Sequence, residues 1–338
     1  MIDIRSDTVT LPTQKMREVM YTAIVGDDVY DDDPTVKELE SYAADLLGKE
    51  SSLFVPTGTF GNQLALFTHC KHGDEVILGD DSHIVQHEVG AASIIAGVQF
   101  RTLSSDNGIL DTNEIKAKIR EQDLHYPKTG LICLENAHSN GRVVPYNKMK
   151  EIYELAKKNN LPVHTDGARF FNAAEFLGIQ AHELARLSDS IMFCLSKGLC
   201  APVGSILAGN KAFIDKAKKN RKLMGGGMRQ VGFLAAAGLV ALKEMRSRLK
   251  VDHNNAKKIA DALDKIACIN VLKDNLDINM VFFTVNKKIK ASEFVKFMLK
   301  KGIKINNPEN SIWRFVTNND LQEKDINLVI NAIQLFFT

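Results

Sequence analysis

The sequence predicts an α/β fold. Its main part is a three-layer α/β/α unit on a mostly parallel sheet, and a small α+β unit follows at the carboxyl-terminal end. Three observations predict it. Seven short runs read as strands: "SSLFVP", "EVILGD", "VQFRTLS", "GLICLEN", "LPVHTD", "SIMFCLS" and "GSILAG". Many are apolar on both faces, as a sheet covered on each side by helices requires. Stretches of helical periodicity such as "TNEIKAKIRE" and "NKMKEIYELAKKNN" lie between them. The chain has 338 residues, enough to bury a large core.

The elements follow in order. Residues 1–13 read as an amino-terminal arm, 14–245 as the large unit and 246–338 as the small one. "DPTVKELESYAADLLG" is a helix: Asp33 can cap it, Pro34 suits its first turn, and Gly48 ends it. Val36, Leu39, Ala43, Leu46 and Leu47 form its apolar face. The last two strand runs stand too close for a helical crossover, so one pair in the sheet is expected to be antiparallel. A long helical stretch over 229–266 then leads to "NMVFFTV", a helix "ASEFVKFMLKKG", a strand "SIWRFVT" and a last helix. The lysine-rich run around that helix reads as the solvated side of an amphipathic helix, with Phe294, Val295, Phe297 and Met298 buried.

Composition narrows the function classes. Lys+Arg 43 against Asp+Glu 41 leaves a net charge of +2, which points to neither a nucleic-acid nor a membrane partner. No apolar run approaches the roughly 20 residues that span a bilayer. The start "MIDIRSDTVTLP" carries Asp3, Arg5 and Asp7 where a secretory leader would be apolar. Five scattered cysteines form neither a disulfide framework nor a zinc cluster. A cytoplasmic location and a small-molecule partner are therefore expected.

One lysine stands out. Lys197, in "FCLSKGLCAPVGS", sits inside an apolar run, where lysine is rarely buried. Such an amine either snorkels to the surface or serves as a nucleophile toward an aldehyde. "LPVHTDGAR" ends a strand on Asp166, thirty-one residues earlier by the numbering. That aspartate either caps the next turn or shares a cleft with Lys197. An amine for an aldehyde and a carboxylate for a ring nitrogen are what pyridoxal 5'-phosphate needs. In "VPTGTFGNQLALF", Gly58 and Thr59 open a helix whose N–H groups suit a phosphate. Ser196, and Arg229 in "GGGMRQ", are further phosphate candidates, although the triple glycine also suits a plain loop. His83, in "DDSHIVQHEVG", offers a flat ring for stacking. His83 and His87 have helical i,i+4 spacing, yet no third ligand accompanies them, so no metal is expected.

Six segments together resemble the low-specificity L-threonine aldolases: "IRSDTVTLPT", "GDDVYDDDPTVKELE", "FVPTGTFGNQLAL", "HTDGARFFNA", "LSKGLCAPVGS" and "GGGMRQ". These are pyridoxal-phosphate enzymes of fold type I. The resemblance runs from residue 2 to about 245 and is carried further on by "SIWRFVTN". It implies aldol cleavage of L-threonine, L-allo-threonine and related β-hydroxy-α-amino acids to glycine and an aldehyde; another lyase of the same fold is the alternative. It implies that Lys197 holds the cofactor, Asp166 pairs with its ring nitrogen and His83 stacks on the ring. Gly58, Thr59 and Ser196 would hold the phosphate, with Arg229 from a neighbouring subunit. Ser6, Arg169 and Arg314 match positions that handle the substrate carboxylate or line the site. Tyr30 and His125 match active-site positions, and His87 stands where an aromatic ring is usual. The catalytic base would be His83 or His125. A homo-oligomer, a dimer of dimers, is implied too. "ENAHSNGRVVP" and "YDDDPT" depart from the family pattern and bear on side-chain preference rather than on the cofactor.

Overall fold

A computed structural model describes residues 1–337. Its strands are β1 (Ile2–Asp3), β2 (Ser51–Val55), β3 (Glu75–Gly79), β4 (Gln99–Leu103), β5 (Thr129–Glu135) and β6 (Val163–Asp166). They continue with β7 (Ser190–Cys194), β8 (Ser205–Gly209), β9 (Ile269–Val271), β10 (Met280–Val285), β11 (Ile303–Lys304) and β12 (Trp313–Val316). The seven expected runs are β2 to β8, and they form one sheet in the order β2-β8-β7-β6-β5-β3-β4. β3, β5, β7 and β8 are buried along their whole length, because helices cover both faces.

The expected antiparallel pair is β7–β8, joined by the short link 195–204 that carries Lys197. β8 is also antiparallel to β2, so β2 runs in the same direction as β7. The remaining pairs are parallel. One edge of the sheet therefore gathers the carboxyl-terminal ends of every strand except β8. Ligands of open α/β sheets bind at that edge.

The helix Pro34–Leu47 forms as its pattern predicts. Asp33 accepts from Thr35 N and Val36 N, and Gly48 closes the helix in the left-handed region at φ 60°. Val36, Leu39, Ala43 and Leu47 are buried, with Ala44 joining them and Leu46 only partly covered. Each fully buried valine or leucine among them contributes about 1.5–3 kcal/mol by leaving water. The stretch expected to be one long helix is broken. Gly232–Val240 passes through a wide turn, Ala241–Met245, and a tight turn, Arg246–Arg248, before Leu249–Leu263 resumes.

The carboxyl-terminal part holds the antiparallel sheet β12-β10-β9. Its apolar cluster includes Phe283, Phe294, Trp313 and Phe315. The amino-terminal arm belongs to this part by contact. β1 pairs with β11, and Ile4 sits in the same cluster. Residues 5–7 are thereby threaded between the two cores, which places Ser6 and Asp7 at the sheet edge described next.

Candidate active site

Four segments leave the sheet at its ligand-binding edge and line one cavity of about 190 Å3. Its walls include Gly58 and Thr59 after β2, His83 after β3, Asp166 at the end of β6, and Ser196 and Lys197 after β7. The helix Gly58–His69 lies tightly on β7. A Cβ on Gly58 would stand 2.8 Å from Cys194 Sγ, and one on Gly61 would stand 2.5 Å from Met192 Cγ. Only glycine allows that approach, and it brings the helix N-terminus into the cavity wall. The first N–H groups of a helix have no intrahelical partner and carry its positive dipole end, which suits a phosphate.

Lys197 is only partly buried, unlike its apolar flanks. Those flanks, Ile191 to Leu195 and Leu199 to Ala201, are buried, but the short link turns the lysine itself to a partly buried position on the cavity wall. Asp166 is 2% exposed on its side chain. Its Oδ1 accepts from Ala168 N at 3.0 Å and its Oδ2 from Asn62 Nδ2 at 2.7 Å. His83 stands between Asp166 and Glu88: its Nδ1 is 4.0 Å from Asp166 Oδ2 and donates to Glu88 Oε1 at 3.0 Å. The hydrogen bond to Glu88 raises the imidazole above its usual pKa, against burial and with help from Asp166.

The residues present fit pyridoxal phosphate. A primary amine, a buried carboxylate already fixed by two donors, a flat imidazole and a glycine-opened helix N-terminus share one cavity. His83, Glu88 and Asp166 also bring ligand atoms within 4.8 Å of one another. Both Glu88 oxygens are already engaged by Asn62, Gln63 and His83, so the cluster is an internal hydrogen-bond network.

A second group flanks this cavity. Arg169 donates to Asp7 through Nε at 2.8 Å and Nη2 at 2.6 Å, a buried two-pronged pair. Burial works to raise the Asp7 carboxyl, but the charge and hydrogen bonds of Arg169, with Lys197 close by, hold it below the usual carboxylate range. Arg314, on β12, is pulled below its ordinary value by burial and by the nearby Arg169 guanidinium. Asp7 takes up Arg169, whereas Arg314, which feels Glu309 and Asp7, makes no ion pair among the described residues, so its guanidinium is open to an anion. Ser6 stands beside Asp7 and caps the turn Asp7–Val9 by accepting from Thr8 N. Arg314 and His87 also line a cleft of about 300 Å3 with Asp81, His138, Asn140 and Asn275.

Of the other expected residues, Ser6, Arg169, Arg314 and His87 stand outside the cavity lining, in the flanking group and its cleft, and three more lie away from both within one chain. His125 is exposed in the loop before β5, at the opposite edge of the sheet from Lys197. Strand direction decides this: the loop enters β5, whereas the cavity lies where β5 ends. Arg229 faces outward and pairs with Asp27 at 2.9 Å. Tyr30 is 74% exposed on the turn Asp28–Tyr30.

Sequence reasoning missed Asp7, Asn62, Glu88, Glu135 and His138. Glu135 Oε2 accepts from His83 N and its Oε1 from Ser139 N, which pins the turn bearing His83. Burial disfavours the His138 cation, but Glu135 and Asp81, each 3.6 Å away, push its pKa up to about 9. One signal was readable: "GNQLALF" places Asn62 and Gln63 in an otherwise apolar buried helix. A polar pair there needs buried partners.

The fold and the lysine–aspartate cavity define a pyridoxal-phosphate enzyme of fold type I. Comparison with known proteins agrees. The family model for beta-eliminating lyases matches residues 3–286. Low-specificity L-threonine aldolase 1 of Arabidopsis thaliana is 42% identical over 341 residues, covering 98% of this chain and 95% of that protein. The low specificity L-threonine aldolase of Escherichia coli (strain K12) is 43% identical over 327 residues, covering 96% of each. The solved structure of Leishmania major threonine aldolase superposes with a TM-score of 0.86 at 19% identity, covering 100% of both chains, which is a likeness of fold. The chain belongs to the beta-eliminating lyase family, on the branch of the low-specificity L-threonine aldolases.

Proposed function

We propose that this chain cleaves L-threonine, L-allo-threonine and related β-hydroxy-α-amino acids to glycine and an aldehyde. The observation that carries the reading is the shared cavity of Lys197, Asp166 and His83 beside two converging arginines. Lys197 would hold the cofactor through its amine, the group that reacts with an aldehyde. Gly58, Thr59 and Ser196 hold the phosphate. Asp166, desolvated and fixed by Asn62 and Ala168, would pair with the ring nitrogen and favour its protonated form. When bound, pyridoxal phosphate supplies an electron sink for the pair released as the substrate's Cα–Cβ bond breaks.

The protein residues do the rest. Arg314 and Arg169, with Ser6, orient the substrate carboxylate, and so the bond to be broken. His83 presents its Nε2 to the β-hydroxyl and takes its proton, while Nδ1 remains bonded to Glu88. As the Cα–Cβ bond breaks, that oxygen becomes the carbonyl of the leaving aldehyde. Cα takes up one proton, balancing the one His83 removed from the hydroxyl, and glycine results.

Arg229 and His125 face outward in one chain, so they reach a cavity only from a neighbouring copy. Exposed Tyr21, Ile24, Val89, Ile94, Leu124 and Leu223 support a homo-oligomer, and a dimer of dimers is the assembly proposed. The separate carboxyl-terminal apolar cluster supports a large and a small domain meeting at 245/246, with the arm 1–13 laid on the small one. Among the described residues no helix is long and apolar enough to cross a membrane; together with five free cysteines this supports a cytoplasmic location.

The test is direct. The loaded protein is given L-threonine and, separately, L-allo-threonine, and glycine and acetaldehyde are measured. Equimolar formation of the two is the expected result. Pyruvate and ammonia from serine or cysteine, without acetaldehyde from threonine, would instead make it a β-eliminating lyase.

A further inference from the structure

We propose that Glu88 is the positioning carboxylate of His83 and that Asn62 couples this pair to Asp166, so that the imidazole meets the substrate through Nε2 alone. The inference rests on the reading of the cavity given above and goes beyond it.

The geometry is as follows. The Glu88 side chain is 0% exposed. It receives three hydrogen bonds: Asn62 Nδ2 at 2.8 Å and His83 Nδ1 at 3.0 Å on Oε1, and Gln63 Nε2 at 2.5 Å on Oε2. The two amide nitrogens can only donate, one to each oxygen, which suits an ionised carboxylate, and toward such a carboxylate His83 Nδ1 must donate as well. Among the described residues, His83 is the one basic side chain within ion-pair distance of it. Asn62 Nδ2 has two hydrogens and spends one on Glu88 and the other on Asp166.

Asn62 is itself held in that orientation. Its Oδ1 accepts from His164 Nε2 at 3.2 Å, and Ser190 Oγ donates to His164 Nδ1 at 2.9 Å. His69 Nε2 donates to the same hydroxyl at 2.8 Å. Burial holds His164 neutral by lowering its pKa to about 3, and lowers His69 to about 4. Neutral rings have one donor and one acceptor each, so the chain of donors runs one way, from His69 to the two carboxylates.

The consequence is chemical. Two buried carboxylates this close repel unless donors and a cation lie between them. Asn62 supplies the donors, and His83 supplies the cation whenever it is protonated. With Nδ1–H committed to Glu88, the neutral ring keeps its free lone pair on Nε2. A carboxylate that fixes an imidazole tautomer makes the far nitrogen both basic and aimed.

The test begins without substrate. 15N NMR of histidine-labelled apo-protein should show neutral His83 protonated at Nδ1, with a midpoint above that of free histidine. In Glu88→Gln the midpoint should fall and the tautomers should mix; Glu88→Asp should retain a raised midpoint. In the loaded enzyme the acidic limb of kcat/KM for L-threonine should move to lower pH in Glu88→Gln. Its kcat should fall about 10²-fold, the lower end of a general base's contribution, with little change in KM. An unchanged His83 midpoint in Glu88→Gln overturns the proposal. So does a neutral His83 protonated at Nε2 in the wild-type protein, a measurement that holds even if the variant does not fold. Wild-type protein inert toward threonine would refute the aldolase reading, while the NMR result would still decide the pairing.

Discussion

Asp7 gives the sharpest test of how the two cores hold the site. Asp7→Asn keeps the shape of the side chain and removes the charge opposite Arg169. The pair is bidentate at 2.6 and 2.8 Å, with Asp7 at 0% exposure and Arg169 at 9%. Charge centres about 4 Å apart at an effective dielectric of 20 attract by about 4 kcal/mol. Deleting one member of a buried pair costs about 3–5 kcal/mol, because the other charge stays uncompensated. The two figures agree, so a loss of about 3–4 kcal/mol in unfolding free energy is expected at pH 7.

Urea unfolding read through the single tryptophan, Trp313, which lies in the cluster that carries the arm, measures it. Asp7 titrates lower when folded than when unfolded, so its contribution is complete above about pH 3.9. That contribution is lost as pH falls through the lower folded value. Wild type and variant should therefore differ at pH 7 and converge in acid. Asp7→Asn combined with Arg169→Met should recover part of the loss, since no charge is left unpaired. A deficit under about 1 kcal/mol at pH 7, or one that persists unchanged in acid, would refute a dry, ionised pair.

Lys197→Ala should abolish threonine cleavage and the visible absorbance of the loaded protein. Borohydride reduction followed by peptide mapping of the wild type should place the label on Lys197. Arg314→Ala should raise KM for threonine at least tenfold while cofactor affinity, read by fluorescence titration, stays near wild type; loss of cofactor instead would remove Arg314 from the carboxylate site. His138→Gln should destabilise the protein at neutral pH. The folded pKa of His138, about 9, lies above the unfolded value of about 6.5. Its contribution is thus complete below about pH 6.5 and fades as pH rises through about 9. Denaturation midpoints across that window check the sign.

The sequence by itself determined the covered strands of the main sheet, because strands covered on both faces are rich in apolar residues, and local composition records that; β4, at the sheet edge with Gln99 exposed, was legible only as a short run. It also determined the helix Pro34–Leu47, whose cap, first turn and stop are all local. Lys197, Asp166, Gly58 and Thr59 were legible because each follows or ends a strand, and parallel strands deliver their ends to one edge. Tertiary structure alone decided which groups meet there. Asn62 reaches Asp166 across 104 residues, and Arg169 reaches Asp7 across 162. Nothing local encodes such partners, since a buried charge needs only some donor and the fold chooses which. Strand direction, a property of the whole sheet, sent His125 to the far edge. The sharp β7–β8 link turned Lys197 out of its apolar run toward the cavity. Local chemistry chose the groups, and long-range packing set which of them face one another.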